Sequence, residues 1–220
     1  MPKKRKVSDA TFFVTRRVGR VVGDHRVFRG GGRVGVGVSG GVVSSTLLYV
    51  LHARQRWIPV RTELVPLYVG AGPVPDALAA VCSKIGLPCQ VVSPVEGMNV
   101  PDRLLQAAGD LGLQAIALGD VIEDRAAAVL GGLVFDGVLA PLPTVDETQG
   151  RLPFIRPFAM IAEDAILRAA ADNGISGPPP PLGGRREWLE RLLVATAGDR
   201  HDLLTNLVTA PDRIRKDYLV

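Results

Sequence analysis

The sequence predicts an α/β protein: a three-layer α/β/α sandwich, with helices on both faces of a parallel sheet and a helical extension at the C-terminus. Three observations carry this prediction. Short apolar strand-like runs alternate with helical patterns through most of the 220-residue chain, the alternation from which parallel sheets are built. A glycine turn joins a strand-like segment at 33–38 to a helix at 44–53. The tract GPPPPLGG at 177–184 is a break that no helix or central strand survives, so the helical pattern beyond it is a separate segment.

The elements follow in order. Residues 10–28 mix apolar and basic side chains. Val14, Val18, Val21 and Val22 keep helical spacing, which leaves Arg16, Arg17, Arg20 and Arg26 on the opposite face. RGGG at 29–32 ends that helix. RVGVGV at 33–38 is a short buried strand, with glycines where the backbone must pack closely. After the turn and the helix at 44–53, an extended apolar run covers 60–69, a helix 75–85 and a short strand 90–92. A helix at 101–111, a strand at 115–118 and a helix at 124–133 repeat the pattern. Beyond Gly137 the texture changes to turns, then a strand at 152–155 and a helix at 162–173. In the tail, 185–207 reads as helical. Trp188, Leu189, Leu192 and Leu193 repeat at three and four there, a face that packs on the body or on a second copy in a homo-oligomer.

Composition sets limits. Hydrophobic residues make up 47% and charged residues 22%, which is globular and not disordered. No apolar run reaches the roughly 18–20 residues of a membrane-spanning helix, and no secretory signal is visible, so a soluble, cytoplasmic protein with no membrane partner is expected. PKKRKV at 2–7 resembles, residue for residue, the nuclear localisation signal of the simian-virus large antigen. Residues 1–8 are therefore read as an appended tag that directs the chain to a nucleus. Taking Lys3, Lys4, Arg5 and Lys6 from the 26 basic residues leaves 22, against 22 acidic ones. The body is neutral, and the high isoelectric point supports no claim of nucleic-acid binding. An arginine-rich, lysine-poor body points to a high-GC bacterial source.

The informative stretch is VGVSGGVVSSTLLYVL at 36–51. It resembles the PP-loop of the ATP pyrophosphatases, S-G-G-x-D-S after an apolar strand, with Ser39, Gly40, Gly41 and Ser44 matched. Glycines let the backbone close around a pyrophosphate, while hydroxyls and a helix N-terminus neutralise it. IALGDVIEDRAAAVL at 116–130 resembles the family's A-L-G-H-x-x-D-D-x-A-E-T-x-L segment, with Gly119, Asp124, Ala126 and Leu130 in register and Glu123 retaining a carboxylate. FIRPFAMIAEDAI at 154–166 is similar to I-R-P-L-x-x-x-x-E-x-x-I, with Arg156, Pro157, Glu163 and Ile166 matched. The lead-in RRVGRVVGDHRVFRGGGRVGV is similar to that of the tRNA 2-thiocytidine synthetase branch, near the tRNA-lysidine synthetases. The resemblance spans about 14–175. It implies a Rossmann-like PP-loop domain at 9–176, followed by a proline-rich break and helical tail at 177–220.

The departures are as informative. The family's PP-loop aspartate falls on Val43, which cannot hold magnesium, and the lysine often preceding it falls on Val42. The histidine positions fall on Asp120 and Val121, and the Glu-Thr pair on Ala127 and Ala128. The thiocytidine branch ligates an iron–sulfur cluster with two C-x-x-C pairs. Their places here read EGMNVPDRLL, before the helix at 101–111, and GPPPPLGG. Cys82 and Cys89 have neither the spacing nor the number for a cluster or a zinc site, and read as core residues.

Two readings stand for each candidate. Ser39, Gly40, Gly41, Ser44, Ser45, Gly119 and Arg156 are either a surviving nucleotide cradle for ATP or a loop kept because the turn needs small residues. Glu123 and Asp124 are either magnesium ligands or carboxylates at a helix start, where they are favoured anyway. Arg156 and Glu163 contact nucleotide or each other. Arg16, Arg17, Arg20, Arg26, Arg29 and Arg33 form an RNA-facing patch, since guanidinium suits phosphate, or a solvated face. His25, His52 and His201 have no partners at metal-ligand spacing. Taken together, the expectation is a degenerate tRNA-thiolation-like protein, a non-catalytic binding subunit for nucleotide, RNA (tRNA or guide-type) or a protein complex. An accessory subunit of a nucleic-acid-targeting system is one form of it. The alternative is an ATP-dependent enzyme that adenylates a tRNA base with Glu123 and Asp124 on magnesium.

Overall fold

A computed structural model describes residues 8–24, 31–57, 62–139, 142–147, 152–179, 184–195 and 200–218. The tag at 2–7, and with it Arg26, Arg29 and His25, lie outside the described residues, as does the side chain of His201.

Helix α1 (Asp9–Asp24) leads into the central strand β1 (Gly32–Gly37), then helix α2 (Val42–Arg54) and a 3₁₀ turn, Gln55–Trp57. Strand β2 (Thr62–Val69), helix α3 (Asp76–Ile85), strand β3 (Gln90–Val92), helix α4 (Val100–Asp110) and strand β4 (Ala115–Ala117) continue the alternation. Helix α5 (Ile122–Gly131) runs into a π-helical turn, Gly132–Asp136. Strands β5 (Val145–Asp146) and β6 (Phe154–Ile155) precede helix α6 (Glu163–Asp172), and helices α7 (Gly184–Ala195) and α8 (Arg200–Tyr218) follow.

The described strands form one sheet in the order β3-β2-β1-β4-β6-β5. All neighbours are parallel except β5, which pairs antiparallel with β6 through Val145–Ile155 and Asp146–Phe154. The sheet is parallel as expected, with this one antiparallel pair added at its edge. The helical tail expected over 185–207 consists of two helices, α7 and α8, the second running on to Tyr218.

Strand β1 explains the glycines of its sequence. Val34 and Val36 point to one face, where α1, α2, α3 and α6 build the main core with Leu47, Leu78, Phe158 and Ile166. On the other face, α4 brings Leu104 and Ala108 against Val65, Leu67 and Ile116. Gly35 and Gly37 lie under that second layer. A Cβ on Gly35 would stand 3.0 Å from Leu67 and Leu113, and one on Gly37 would stand 2.8 Å from Leu118. The alternation of valine with glycine is thus two faces of unequal depth. A third cluster joins Ile122, Ala126 and Ala127 of α5 to Leu189 of α7 and to Leu204 and Val208 of α8. The tail therefore packs on the body, over the helix that carries the second motif.

Candidate functional site

The loop after β1 has the shape its sequence demands. Gly40 takes φ +85°, which glycine adopts at no steric cost, and a Cβ there would also strike Pro75 at 2.8 Å. Gly41 is the N-cap of α2. The two loop hydroxyls, Ser39 and Ser44, lie 3.1 Å apart. The Ser39 amide donates to Ser44 Oγ at 3.1 Å, Ser44 Oγ donates to the Gly41 carbonyl at 3.1 Å, and the Gly41 amide donates to Ser39 Oγ at 3.3 Å. The cradle is closed on itself. Ser45, also expected in it, is fully buried on the inner side of α2, its hydroxyl without a partner among the described residues.

The first amide of α2 has a partner from far along the chain. Val42 donates to the Pro178 carbonyl at 3.1 Å. The orphan N–H groups at a helix start, backed by the helix dipole, are where anions bind. Here the negative end of a peptide carbonyl stands at one of them. Gly177 makes the approach possible: a Cβ on it would lie 2.9 Å from the Gly40 oxygen and 3.0 Å from the Val42 nitrogen. Val42 and Val43, in the positions of the family's lysine and aspartate, are both buried in the main core.

The second and third motifs meet beside this loop. Gly119 passes the start of α2 so closely that a Cβ would touch the Ser44 Cα at 3.4 Å. Asp120 then pairs with Arg156 at 2.9 Å, and Arg156, only 5% exposed, also donates to the Pro143 carbonyl at 2.9 Å. Burial pushes the Asp120 carboxyl above its ordinary value; the Arg156 charge pulls it back down, and the neighbouring Asp124 pushes it further up. Both Glu123 oxygens accept from the Glu163 amide at 3.2 Å, capping α6. Asp124 accepts from the Val121 amide at 2.9 Å and pairs with Arg186 at 2.6 Å, and Arg186 also pairs with Glu163. Arg156 and Glu163, expected on nucleotide or on each other, do not pair with each other: Arg156 pairs with Asp120 and Glu163 with Arg186.

The arginines divide into groups. Arg16, Arg17 and Arg20 are exposed on α1, whose other face buries Val14, Val18 and Val22. Arg17 lies over the Phe13 ring at 5.3 Å. Arg33 belongs to a different place, at the start of β1, where it pairs with Glu63 at 3.2 Å and donates to the Leu111 carbonyl.

Sequence reasoning singled out neither Arg186 nor Arg125, and it took Asp120 for a lost histidine and no more. Arg125 is buried, donating to the Leu142 carbonyl at 2.6 Å and the Ala159 carbonyl at 3.3 Å. Its place directly before the apolar run Ala126–Leu130 of α5 was the available signal, since a charged residue must be paired when buried.

The donor set bears on cofactors. The chain has two cysteines, Cys82 and Cys89, on α3 and just before β3, and burial pushes the Cys89 thiol up to about 12, helped by the adjoining Cys82. Two protonated thiols do not fit a cluster that needs a set of thiolates. Among the described residues, no group of three His, Cys, Asp or Glu side chains is placed to hold a metal ion. Glu123 and Asp124 fit magnesium poorly, because each already accepts bonds that hold helices together.

No protein-family model matches the chain. Curated relatives do: the tRNA-cytidine(32) 2-sulfurtransferases of Syntrophotalea carbinolica, 25% identical over 94% of this chain and 91% of that protein, of Geobacter sulfurreducens, 28% identical over 92% and 90%, and of Deinococcus radiodurans, 28% identical over 82% and 68%. Among solved structures, the U34-tRNA thiolase NcsA of Methanococcus maripaludis, solved with its 4Fe–4S cluster, superposes with a TM-score of 0.76 at 18% identity, over 94% of this chain and 80% of that one. The NAD⁺ synthetase of Burkholderia pseudomallei superposes at 0.53 with 15% identity, over 96% and 93%.

Proposed function

We propose, for a chain of the PP-loop ATP pyrophosphatase type and its tRNA-thiolation branch, that it binds RNA without adenylating it, as a non-catalytic relative of the thiolating enzymes. The observation that carries this is the contact between Val42 and Pro178. A phosphate entering the loop meets a peptide carbonyl at the amide it needs, and an apolar Val43 where a metal-binding carboxylate is required. Stabilising a departing pyrophosphate depends on charge compensation at that spot. Neither loop side chain at 42 or 43 supplies it. RNA is favoured as ligand because the similar curated proteins carry tRNA in their names, and because α1 presents a row of exposed arginines.

A second reading, an active ATP-dependent enzyme with Glu123 and Asp124 on magnesium, is favoured by the names of those same relatives. Calorimetric titration with bulk tRNA and, separately, with ATP and magnesium, followed by a pyrophosphate-release assay in the presence of the tRNA, separates the two. The expected result is tRNA binding with no pyrophosphate formed. Magnesium-dependent release that falls in Glu123→Gln and Asp124→Asn would establish the enzyme and remove the binding-subunit reading.

A further inference from the structure

The α2 helix has a second end. At its C-terminus, about 18 Å from the loop at a rise of ~1.5 Å per residue, α1, α2, the 3₁₀ turn and the end of α6 enclose an open groove of about 790 Å³. Phe12 and Trp57 line it and are 60% and 76% exposed. Two large rings are thus left mostly in water at one groove.

The groove is also basic. Arg16, Arg54 and Arg56 line it, against one carboxylate, Asp172, which accepts a hydrogen bond from Ser8. Arg54 spans the gap between α2 and α1: its guanidinium lies where a Cβ on Gly19 would be, 2.3 Å away, and donates to the Thr15 carbonyl at 3.3 Å. Its Nε–H is buried and has no hydrogen-bond partner among the described residues, so only the outer nitrogens of this guanidinium can face the groove. Arg17 and Arg20 extend the positive row along α1. Aromatic faces interleaved with guanidinium groups suit unpaired nucleotides, whose bases stack while their phosphates find charge. A protein partner with an apolar face would satisfy the rings but leave the arginines facing it without anions.

We propose that this groove is a single-stranded RNA site, with Phe12 and Trp57 as stacking platforms and Arg16, Arg54 and Arg56 at the phosphates. This rests on the RNA-binding reading above and gives it a location away from the PP-loop. The site is sequence-tolerant, because every base has a face to stack. Duplex RNA, with its bases already stacked, is excluded from it.

Fluorescence anisotropy tests this with labelled oligo(U), a duplex RNA of equal length, and bulk tRNA, each against the full chain. Oligo(U) and tRNA bind and the duplex does not compete. Phe12→Ala and Trp57→Ala each weaken oligo(U) binding roughly five- to a hundredfold, while Trp57→Phe stays within a few-fold of wild type. Arg16→Glu and Arg56→Glu flatten the salt dependence, since each phosphate contact contributes about −0.7 to its logarithmic slope on single strands. These aromatic side chains are exposed, so unchanged thermal melting keeps the comparison clean. If tRNA binds but Phe12→Ala and Trp57→Ala leave every affinity intact, the groove proposal fails and RNA binding stands. If neither tRNA nor oligo(U) binds, both fail. If the chain instead self-associates through Trp57 and ignores RNA, the groove belongs to a second copy and the proposal is overturned.

Discussion

Arg186 of α7 reaches Asp124 of α5 at 2.6 Å and pairs at the same time with Glu163 of α6. One guanidinium from beyond the proline tract thus gathers carboxylates from both downstream motifs. All three side chains are largely buried, at 13%, 27% and 20% exposure. Asp124 and Glu163 would be two like charges at close range without it. Arg186→Ala is expected to lower unfolding stability by about 1.5–3 kcal/mol, the range for hydrogen bonds to charged groups. Lysine, a single point charge, should recover only part of that. Urea denaturation of the three proteins checks it; an unchanged midpoint in Arg186→Ala would show the contact to be idle.

Val43 provides the next test. An aspartate there, as in the PP-loop pattern, would place a carboxylate among Val42, Leu47 and their neighbours in the main core. Val43→Asp is expected to cost about 2–4 kcal/mol of stability, as an unpaired buried charge does, and to yield no pyrophosphate from ATP. Denaturation and a pyrophosphate assay on the same preparation decide both halves. Turnover from this variant would mean that the loop lacks a carboxylate and nothing else.

Much of this architecture was legible beforehand, and the limits are instructive. Val34 and Val36 alternating with Gly35 and Gly37 announced a buried central strand, and Ser39 to Ser44 announced the turn, because these are local patterns. The residue types of the later motifs were legible as well. Their pairings were not: Asp120 with Arg156, or Asp124 with Arg186, depends on which strand ends and helices the sheet order brings together. Strand β5 was missed because two residues carry no periodicity. The seat of Pro178 could not be read from a tract whose only local message is that helix and strand stop there.

Gly37 yields a packing prediction. A valine would drive its side chain against Leu118 and Leu104, where a Cβ already approaches to 2.8 and 3.2 Å. Gly37→Val is expected to destabilise by about 1–3 kcal/mol through overpacking. Leu104→Ala in the same chain should relieve part of this, so that the double variant loses less than the sum of the two singles. Thermal melts of the four proteins measure the coupling.

The cysteine pair predicts a pH dependence. The Cys89 thiol is pushed up to about 12, first by burial and then by Cys82. The folded chain therefore holds a proton that the unfolded chain releases near its ordinary thiol value. Between those two values the native state binds more protons, so stability falls as pH rises from about 9 toward 12. Cys89→Ser should flatten that slope. At neutral pH the folded protein should react with iodoacetamide far more slowly than after denaturation, since the thiolate is the nucleophile.

Gly177 offers a direct handle on the loop. With φ +154° and backbone atoms at 2.9 and 3.0 Å from any added Cβ, Gly177→Val cannot keep its present seat. Calorimetry should then detect inorganic pyrophosphate binding that wild type does not show, still without turnover of ATP. Identical behaviour of the two proteins would mean that Pro178 does not guard the amide of Val42.

That guarding has a consequence for any anion the loop is offered. Pro178 is a tethered competitor: it cannot be diluted or washed away, and its effective concentration is fixed by the chain that carries it. The apparent affinity of a soluble anion is its intrinsic affinity scaled by the fraction of molecules in which the tract has swung clear. A change in the backbone at Gly177 changes that fraction. Occupancy of the loop and the seat of Pro178 are therefore linked quantities, and each would be felt at the other with the same free energy.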